Sequence, residues 1–233
     1  MRLPTASKLD LFKACGGPWR LPLARTETSR AASKGRSLHK FAETGASQSV
    51  KGVKTQAEES VERALEDLPA WGELSMVAQR ECVLRYNPRT GKCEILGVSG
   101  IARPYGDEDT EWIWGTADLV GQVGDALLVA DLKTGSPAWL KMPWGVRGTI
   151  DEAPLQVPFL AAVINAVLGL PSAILGIVSS QCERAFTAEY SRADLASVLG
   201  SVSEMVRNPP ATLIPGDYCT FCPVRGNCPL WQS

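Results

Sequence analysis

An apolar strand that ends in an aspartate and a lysine constrains the fold of this chain more than any other feature. In the run ALLVADLKTG, the residues Leu127–Ala130 are followed by Asp131 and Lys133, with Leu132 between them. Side chains two apart on a strand share a face, so we expect Asp131 and Lys133 to project together while Leu132 points into the core. Asp118 lies in the preceding run, GTADLV, which the turn GQVGD joins to it as a hairpin. The sequence therefore predicts two carboxylates and one ammonium group at the end of a buried strand.

This charged strand end predicts a cation site. Two carboxylates placed together repel each other and raise each other's pKa, whereas a divalent cation relieves the repulsion. Hard oxygen ligands favour Mg²⁺ or Mn²⁺, and Lys133 beside such an ion would orient a water or stabilise negative charge on a phosphate. A structural Asp–Lys ion pair is the alternative interpretation. Two further polar candidates are His39, the only histidine, and Gln156, which opens an apolar helical run.

The composition is that of a globular protein with one unusual charge asymmetry. Of the 233 residues, 45% are hydrophobic and 21% charged, and the formal net charge is −1. No signal-like apolar stretch opens the chain, and the longest uncharged run contains Pro158 and Pro171, so we expect a soluble, cytoplasmic protein without a membrane span. Residues 1–54 nevertheless carry eleven Lys and Arg against three acidic residues. Such a basic segment suits a polyanionic partner such as DNA, and a solvated basic face is the alternative.

Hydrophobic periodicity and turn signals predict an α/β fold with a mixed central sheet flanked by helices. We expect strands at residues 76–86, 92–98, 112–120, 126–132 and 173–179. We expect helices at residues 35–46, 55–68, 155–168 and 192–206. The helix at 155–168 separates the last two strands in a βαβ step, so antiparallel hairpins should be joined to one parallel pair.

The order and spacing of the polar residues resemble the RecB-type nuclease domains of the PD-(D/E)XK superfamily. The matching residues are Gly35 with His39, Gly115 with Asp118, Asp131-Leu132-Lys133-Thr134-Gly135, and Gln156. The resemblance implies a restriction-endonuclease-like core in which His39, Asp118 and Asp131 bind a divalent metal. It also implies that the backbone carbonyl of Leu132 completes the metal site, that Lys133 is catalytic and that Gln156 holds the geometry. The aromatic residue that such domains often carry four positions after the glutamine is Leu160 here.

Three of the seven cysteines crowd near the C-terminus in the pattern Cys219-x₂-Cys222-x₅-Cys228. Together with Cys15 they would supply four thiolates, a set that suits either Zn²⁺ or an iron–sulfur cluster. The pattern resembles the iron–sulfur branch of the same family, which includes CRISPR-adaptation nucleases and the nuclease domains of helicase–nuclease complexes. That resemblance implies that the four cysteines hold a [4Fe–4S] cluster that ties the chain termini together. A zinc site, or Cys15 as a plain buried thiol, is the alternative.

The resemblance implies a single nuclease domain over residues 1–233: a basic segment (1–34), a nuclease core (35–207) and a cysteine-rich segment (208–233). The implied activity is metal-dependent hydrolysis of DNA phosphodiester bonds, with exonuclease action on single-stranded DNA or free ends, in repair, recombination, phage or CRISPR-type processing. No GxxxxGK[ST] motif occurs, so unwinding would require a helicase partner. The alternatives are a nucleic-acid-binding subunit with a vestigial nuclease site and a zinc-stapled scaffold protein.

Overall fold

The computed structural model describes residues 1–24, 37–42, 46–47, 54–73, 79–97, 109–134, 155–216, 219 and 222–231. The strands are β1 (Gln79–Tyr86), β2 (Cys93–Gly97), β3 (Ile113–Val123), β4 (Ala126–Lys133), β5 (Ser172–Ser179) and β6 (Arg184–Ser191). The helices are α1 (Leu9–Ala14), α2 (Gly17–Arg20), α3 (Gln56–Glu66), α4 (Gln156–Leu168) and α5 (Arg192–Arg207). Residues 37–42 are also helical, and short 3₁₀ turns occur at Ala6–Lys8 and Arg225–Asn227.

The six strands form one mixed sheet in the order β2-β1-β3-β4-β5-β6. All neighbours are antiparallel except β4 and β5, which run parallel in a register from Ala126 with Ser172 to Lys133 with Ser179. Helix α4 lies between these two strands in sequence, so the expected βαβ step is confirmed. The mixed α/β architecture with a flanked central sheet is likewise confirmed.

The sheet separates two layers of buried apolar side chains. On one face, α4 and α5 pack with α1 against the sheet, and Phe159, Leu160 and Ile164 of α4 are fully buried there. On the other face, α3 and residues 37–42 cover β4 and β5 through Leu38, Phe41 and a set of α3 side chains. Because both faces of β4 are covered, its apolar run is buried from Leu127 onward.

Local capping signals define the helix ends. Thr55 and Glu58 form a reciprocal capping box at the start of α3, and Ser191 and Asp194 form another at the start of α5. Helix α4 ends at Gly169, which has a left-handed backbone with φ 74°. These ends lie within two residues of those expected for all three helices.

Strand β6 is absent from the sequence-based expectations, which is their main error about the fold. Its outward-facing positions are charged or polar, as edge strands often are, and the turn before it contains Glu183 at φ 54° in place of glycine. Phe186, Ala188 and Tyr190 alternate along this strand, but without a hairpin turn signal the alternation does not by itself predict a strand. Parts of the expected helix at 35–46 and the ends of the expected strands at 76–86 and 92–98 lie outside the described residues.

The N-terminal and C-terminal segments are hydrogen-bonded to each other. Gly16 N–H donates to the carbonyl of Thr212 at 2.9 Å, and Ala24 N–H donates to that of Pro223 at 2.8 Å. A Cβ on Gly16 would lie 2.4 Å from the Pro210 carbonyl oxygen, so this approach requires glycine. The two ends of the described chain therefore meet beside α1 and α2.

None of the helices within the described residues combines the length and the apolar character that a membrane-spanning helix requires.

Candidate functional site

Strands β3 and β4 stop pairing just before Asp118 and Asp131, and the candidate site occupies this opening. Their antiparallel ladder ends at the pair Leu119 and Ala130. Beyond it, Leu132 N–H donates to Asp118 Oδ2 at 2.7 Å, so a side-chain oxygen takes over from a backbone acceptor. The opening therefore holds the Asp118 carboxylate between the two strands, next to Asp131.

Asp131, Lys133 and Gln156 form a closed network at this opening. Lys133 Nζ lies 2.6 Å from Asp131 Oδ2, and Gln156 Nε2 donates to Asp131 Oδ1 at 2.7 Å. Lys133 Nζ also donates to Gln156 Oε1 at 2.9 Å. Gln156 is the first residue of α4, whose N-terminus favours a nearby negative charge. The network therefore fixes Asp131 and Lys133 relative to each other and to α4.

Burial dominates the electrostatics of this network, because Asp131 is only 3% exposed. Burial raises the pKa of the Asp131 carboxyl, the Lys133 charge opposes that rise and the Asp118 charge adds to it. Burial acts to lower the pKa of Lys133, but the charge and hydrogen bond of Asp131 outweigh it and raise that pKa. Lys133 is therefore held as an ammonium group, while Asp131 is a carboxyl group whose ionised form would gain from a nearby cation.

His39 faces Asp118 from the helical segment at 37–42. Its Nδ1 lies 3.3 Å from Asp118 Oδ1, and the imidazole side chain is 32% exposed. Burial acts to lower the pKa of His39, but the hydrogen bond and charge of Asp118, helped by Asp131 and Glu81, raise it. The apolar neighbours Leu38 and Phe41 anchor this segment on the sheet and so place the imidazole over the opening.

Glu81 is the site residue that the sequence analysis missed. Three potential ligand atoms, one each from His39, Glu81 and Asp118, all lie within 4.8 Å of one another. Among the described residues this is the only group of three His, Cys, Asp or Glu side chains that close together. No motif marks Glu81 in the sequence, because it occupies an ordinary position in the strand QRECVLRY and reaches the site only through sheet pairing.

The predicted metal ligands thus fall into two adjoining groups. His39 and Asp118 lie together with Glu81, whereas the oxygens of Asp131 contact Lys133 and Gln156. The Leu132 side chain is buried in the core facing α3, on the opposite side of β4 from Asp131 and Lys133, as the strand alternation predicts. The donor set is one imidazole with hard carboxylate oxygens, and it fits Mg²⁺ or Mn²⁺.

The four predicted cluster cysteines all line a single cavity of about 390 Å³. Cys15 follows α1 and is 7% exposed, and Cys219, Cys222 and Cys228 reach the cavity from the C-terminal segment. Trp231 and several apolar side chains complete its walls. Residues about two hundred positions apart in sequence are therefore brought together, beside the hydrogen bonds that join the two chain ends.

Backbone amides point at several of these sulfurs. Cys15 Sγ accepts from Gly17 N–H and from Ile214 N–H, each at 3.4 Å, and Cys219 Sγ accepts from Gly216 N–H at 3.4 Å. Amide donors of this kind stabilise negative charge on thiolates that ligate metals. Burial, together with the other three cysteines, raises the pKa of the Cys222 thiol, so a cluster of free thiolates would be unfavourable without a cation.

Two matching residues of the proposed motifs, Gly35 and Gly135, lie outside the described residues. Gly115 is described, and its lack of a side chain has a structural cause. A Cβ there would lie 2.5 Å from Leu160 Cδ2 and 3.0 Å from Ala6 Cβ. Glycine at this position lets α4 pack closely on β3, which brings Gln156 to the opening.

Comparison with known proteins gives the family. The sequence model of the PD-(D/E)XK nuclease superfamily matches residues 5–229. No curated protein matches the sequence. The crystal structure of SSO0001 is similar to this chain with a TM-score of 0.39 and 17% identity, over 97% of this chain and 85% of that one. Because the family match covers nearly all of the sequence, the chain belongs to the PD-(D/E)XK nuclease superfamily, whose members are metal-dependent nucleases that act on DNA.

Proposed function

We propose that this chain is a Mg²⁺- or Mn²⁺-dependent deoxyribonuclease that hydrolyses phosphodiester bonds at the opening between β3 and β4. The observation that carries the proposal is the convergence there of Asp118, Asp131 and Lys133 with His39 and Gln156. A structural ion pair alone would explain Asp131 with Lys133. It would not explain a second carboxylate and the lone histidine of the chain at the same opening.

His39, Asp118 and Asp131 are the proposed metal ligands, together with the backbone carbonyl of Leu132. A cation bound there would polarise a phosphate oxygen and lower the pKa of a bound water. Asp118 is held in place by the Leu132 N–H, and Asp131 by Gln156, so both carboxylates are oriented before any ion arrives. This preorganisation is what a catalytic metal site requires of its protein.

Lys133 and Gln156 are the proposed catalytic support. The Lys133 ammonium lies at the same opening and would stabilise negative charge that develops on the phosphate or orient the attacking water. Gln156 bridges Lys133 and Asp131 and keeps both from swinging away. Its proposed role is therefore positional.

The proposed substrate is DNA that is single-stranded or has free ends. The protein would act on it as an exonuclease in repair, recombination, phage or CRISPR-type processing. The basic N-terminal segment supports a partner with a phosphate backbone, since eleven cationic residues in 54 suit non-specific backbone contacts. We also propose that the chain is a RecB-type nuclease domain and that a helicase partner unwinds its substrate.

The test is cleavage of end-labelled single- and double-stranded DNA with Mg²⁺ or Mn²⁺ by the wild type and by Asp131→Asn. Loss of a metal ligand removes several kcal/mol of transition-state stabilisation, so we expect a decrease in rate of about 100-fold or more. Asp125→Asn, in the exposed turn between β3 and β4, is the matched control and should cleave like the wild type. DNA binding without cleavage by the wild type would instead identify a binding subunit with a vestigial site.

We also propose that Cys15, Cys219, Cys222 and Cys228 hold a [4Fe–4S] cluster. All four cysteines line one cavity, and backbone amides donate to the sulfurs of Cys15 and Cys219. Four thiolates also suit zinc, so the choice of the iron–sulfur cluster rests on the resemblance of the cysteine pattern to the iron–sulfur branch of the family.

Iron, sulfide and zinc analysis of anaerobically purified protein tests the cluster. We expect about four iron and four sulfide per chain and the broad visible absorbance of an iron–sulfur centre. Cys222→Ser should remove the absorbance and lower Tm, whereas Cys93→Ser, a control outside the cavity, should retain it. One zinc per chain without iron would contradict the proposal and support the zinc alternative.

A further inference from the structure

Glu81 occupies an unusual backbone position directly across from Asp118. In the β1–β3 ladder, Arg80 pairs with Leu119 and Cys82 pairs with Ala117, so the register sets Glu81 opposite Asp118, although these two residues do not themselves pair. Glu81 has φ 56°, in the left-handed region, although both neighbours belong to the strand. Glutamate is rare in that region, where glycine and asparagine are favoured.

The left-handed backbone at Glu81 indicates a local constraint that regular strand pairing does not require. The register on either side is continuous, so no inserted residue accounts for it. Backbone strain in proteins concentrates at functional sites, where the surrounding structure holds a side chain in a required position. In this protein the side chain is that of Glu81, and one of its carboxylate oxygens lies within 4.8 Å of ligand atoms on both His39 and Asp118.

We propose that the Glu81 carboxylate is a further ligand of the divalent cation. It would bind the cation on the side of the metal centre where His39 and Asp118 lie. This inference rests on the proposed metal-dependent nuclease function. Ligand atoms on one octahedral ion at about 2.1 Å from it lie about 3 to 4.2 Å apart. The three atoms, all within 4.8 Å of one another, are therefore close to the spacing that one ion requires of its ligands.

The experiment measures Mn²⁺ affinity of the intact chain by titration calorimetry and by electron paramagnetic resonance of free Mn²⁺. The variants are Glu81→Gln and Glu81→Asn, and Asp118→Asn serves as the reference ligand variant. We expect Mn²⁺ affinity to fall by about 10- to 100-fold in both Glu81 variants. Glu189→Gln, an exposed glutamate on β6, is the matched control and should bind Mn²⁺ like the wild type.

Thermal unfolding without metal separates a ligand from a structural glutamate. Asparagine tolerates the left-handed backbone, so Glu81→Asn should unfold at a Tm equal to or above that of the wild type while its Mn²⁺ affinity falls. Ala70→Gly relieves a comparable backbone, φ 55°, at an exposed position and should raise Tm without changing Mn²⁺ affinity. A purely structural glutamate would give the reverse for Glu81→Asn, with lower Tm and unchanged affinity.

The outcomes distinguish this inference from the function on which it rests. If Asp118→Asn loses Mn²⁺ while both Glu81 variants bind it within twofold of the wild type, the role of Glu81 is refuted and the metal centre stands. If the wild type itself binds no Mn²⁺, both proposals are refuted.

Discussion

Gln156 links helix α4 to the two charged side chains at the end of β4, and Gln156→Ala is the substitution that isolates this link. Its amide nitrogen donates to Asp131 at 2.7 Å and its amide oxygen accepts from Lys133 at 2.9 Å. The substitution removes both hydrogen bonds and leaves the 2.6 Å ion pair between Lys133 and Asp131 in place. We therefore expect a folded, metal-binding protein with poorly oriented catalytic groups.

The size of the effect follows from these two contacts. A hydrogen bond with one charged partner contributes about 1.5–3 kcal/mol, so the two together could contribute about 3–6 kcal/mol if fully desolvated. Gln156 is half-buried, and water will replace part of both contacts. Because these contacts orient the reacting groups, we expect their loss to raise the barrier by a comparable amount, about 1.5–3 kcal/mol, which corresponds to a decrease in kcat of roughly 10- to 150-fold.

The assay is cleavage of saturating DNA at saturating Mg²⁺ or Mn²⁺, with Gln122→Ala, an exposed glutamine on β3, as the control. Gln156→Glu should be at least as impaired as Gln156→Ala, because it keeps an acceptor for Lys133 but places a second carboxylate beside Asp131. If kcat of Gln156→Ala stays within twofold of the wild type, the network does not position the catalytic groups.

Two further predictions concern protonation and packing. Because the pKa of His39 is raised above its ordinary value, its proton competes with metal to higher pH, so Mn²⁺ affinity should rise by up to about tenfold per pH unit from pH 6.5 upward until His39 is deprotonated. In the metal-free protein the free energy of unfolding should instead fall as pH rises. The stabilisation from protonated His39 is fully present below about pH 6.5 and is lost as pH rises through the raised pKa. His39→Ala, measured by calorimetry and urea unfolding, should lose both dependences, and an unchanged pH slope would contradict the assignment. Gly16→Ala should lower the free energy of unfolding by about 1–3 kcal/mol, because its Cβ would lie 2.4 Å from the Pro210 carbonyl oxygen. Urea unfolding measures this change. An unchanged free energy of unfolding would show that the chain ends do not pack this closely.

The hairpin of β3 and β4 was predictable because its signals are local. An apolar run, a Gly-containing turn and charges at one end place Asp118 and Asp131 on adjacent strands before any tertiary information is used. The parallel pairing of β4 with β5 followed from the helix between them in the same way. The convergence of His39 with this hairpin required the family resemblance, since no local rule places a distant helix over a given strand end.

Glu81 and β6 were not predictable for a shared physical reason. Each depends on pairing between strands whose register the sequence does not state. Glu81 becomes a site residue only because β1 pairs with β3 in the register that sets it opposite Asp118. Strand β6 is polar on one side and follows a turn without glycine, so it lacks the usual hairpin signal even though its inward residues alternate.

The central claim is that the opening between β3 and β4 binds the catalytic cation, and anomalous diffraction from crystals grown with Mn²⁺ tests it most directly. The predicted result is a manganese peak coordinated by Asp118, Asp131 and His39. Crystals that bind manganese only elsewhere, with Asp131 still engaged solely by Lys133 and Gln156, would contradict the claim.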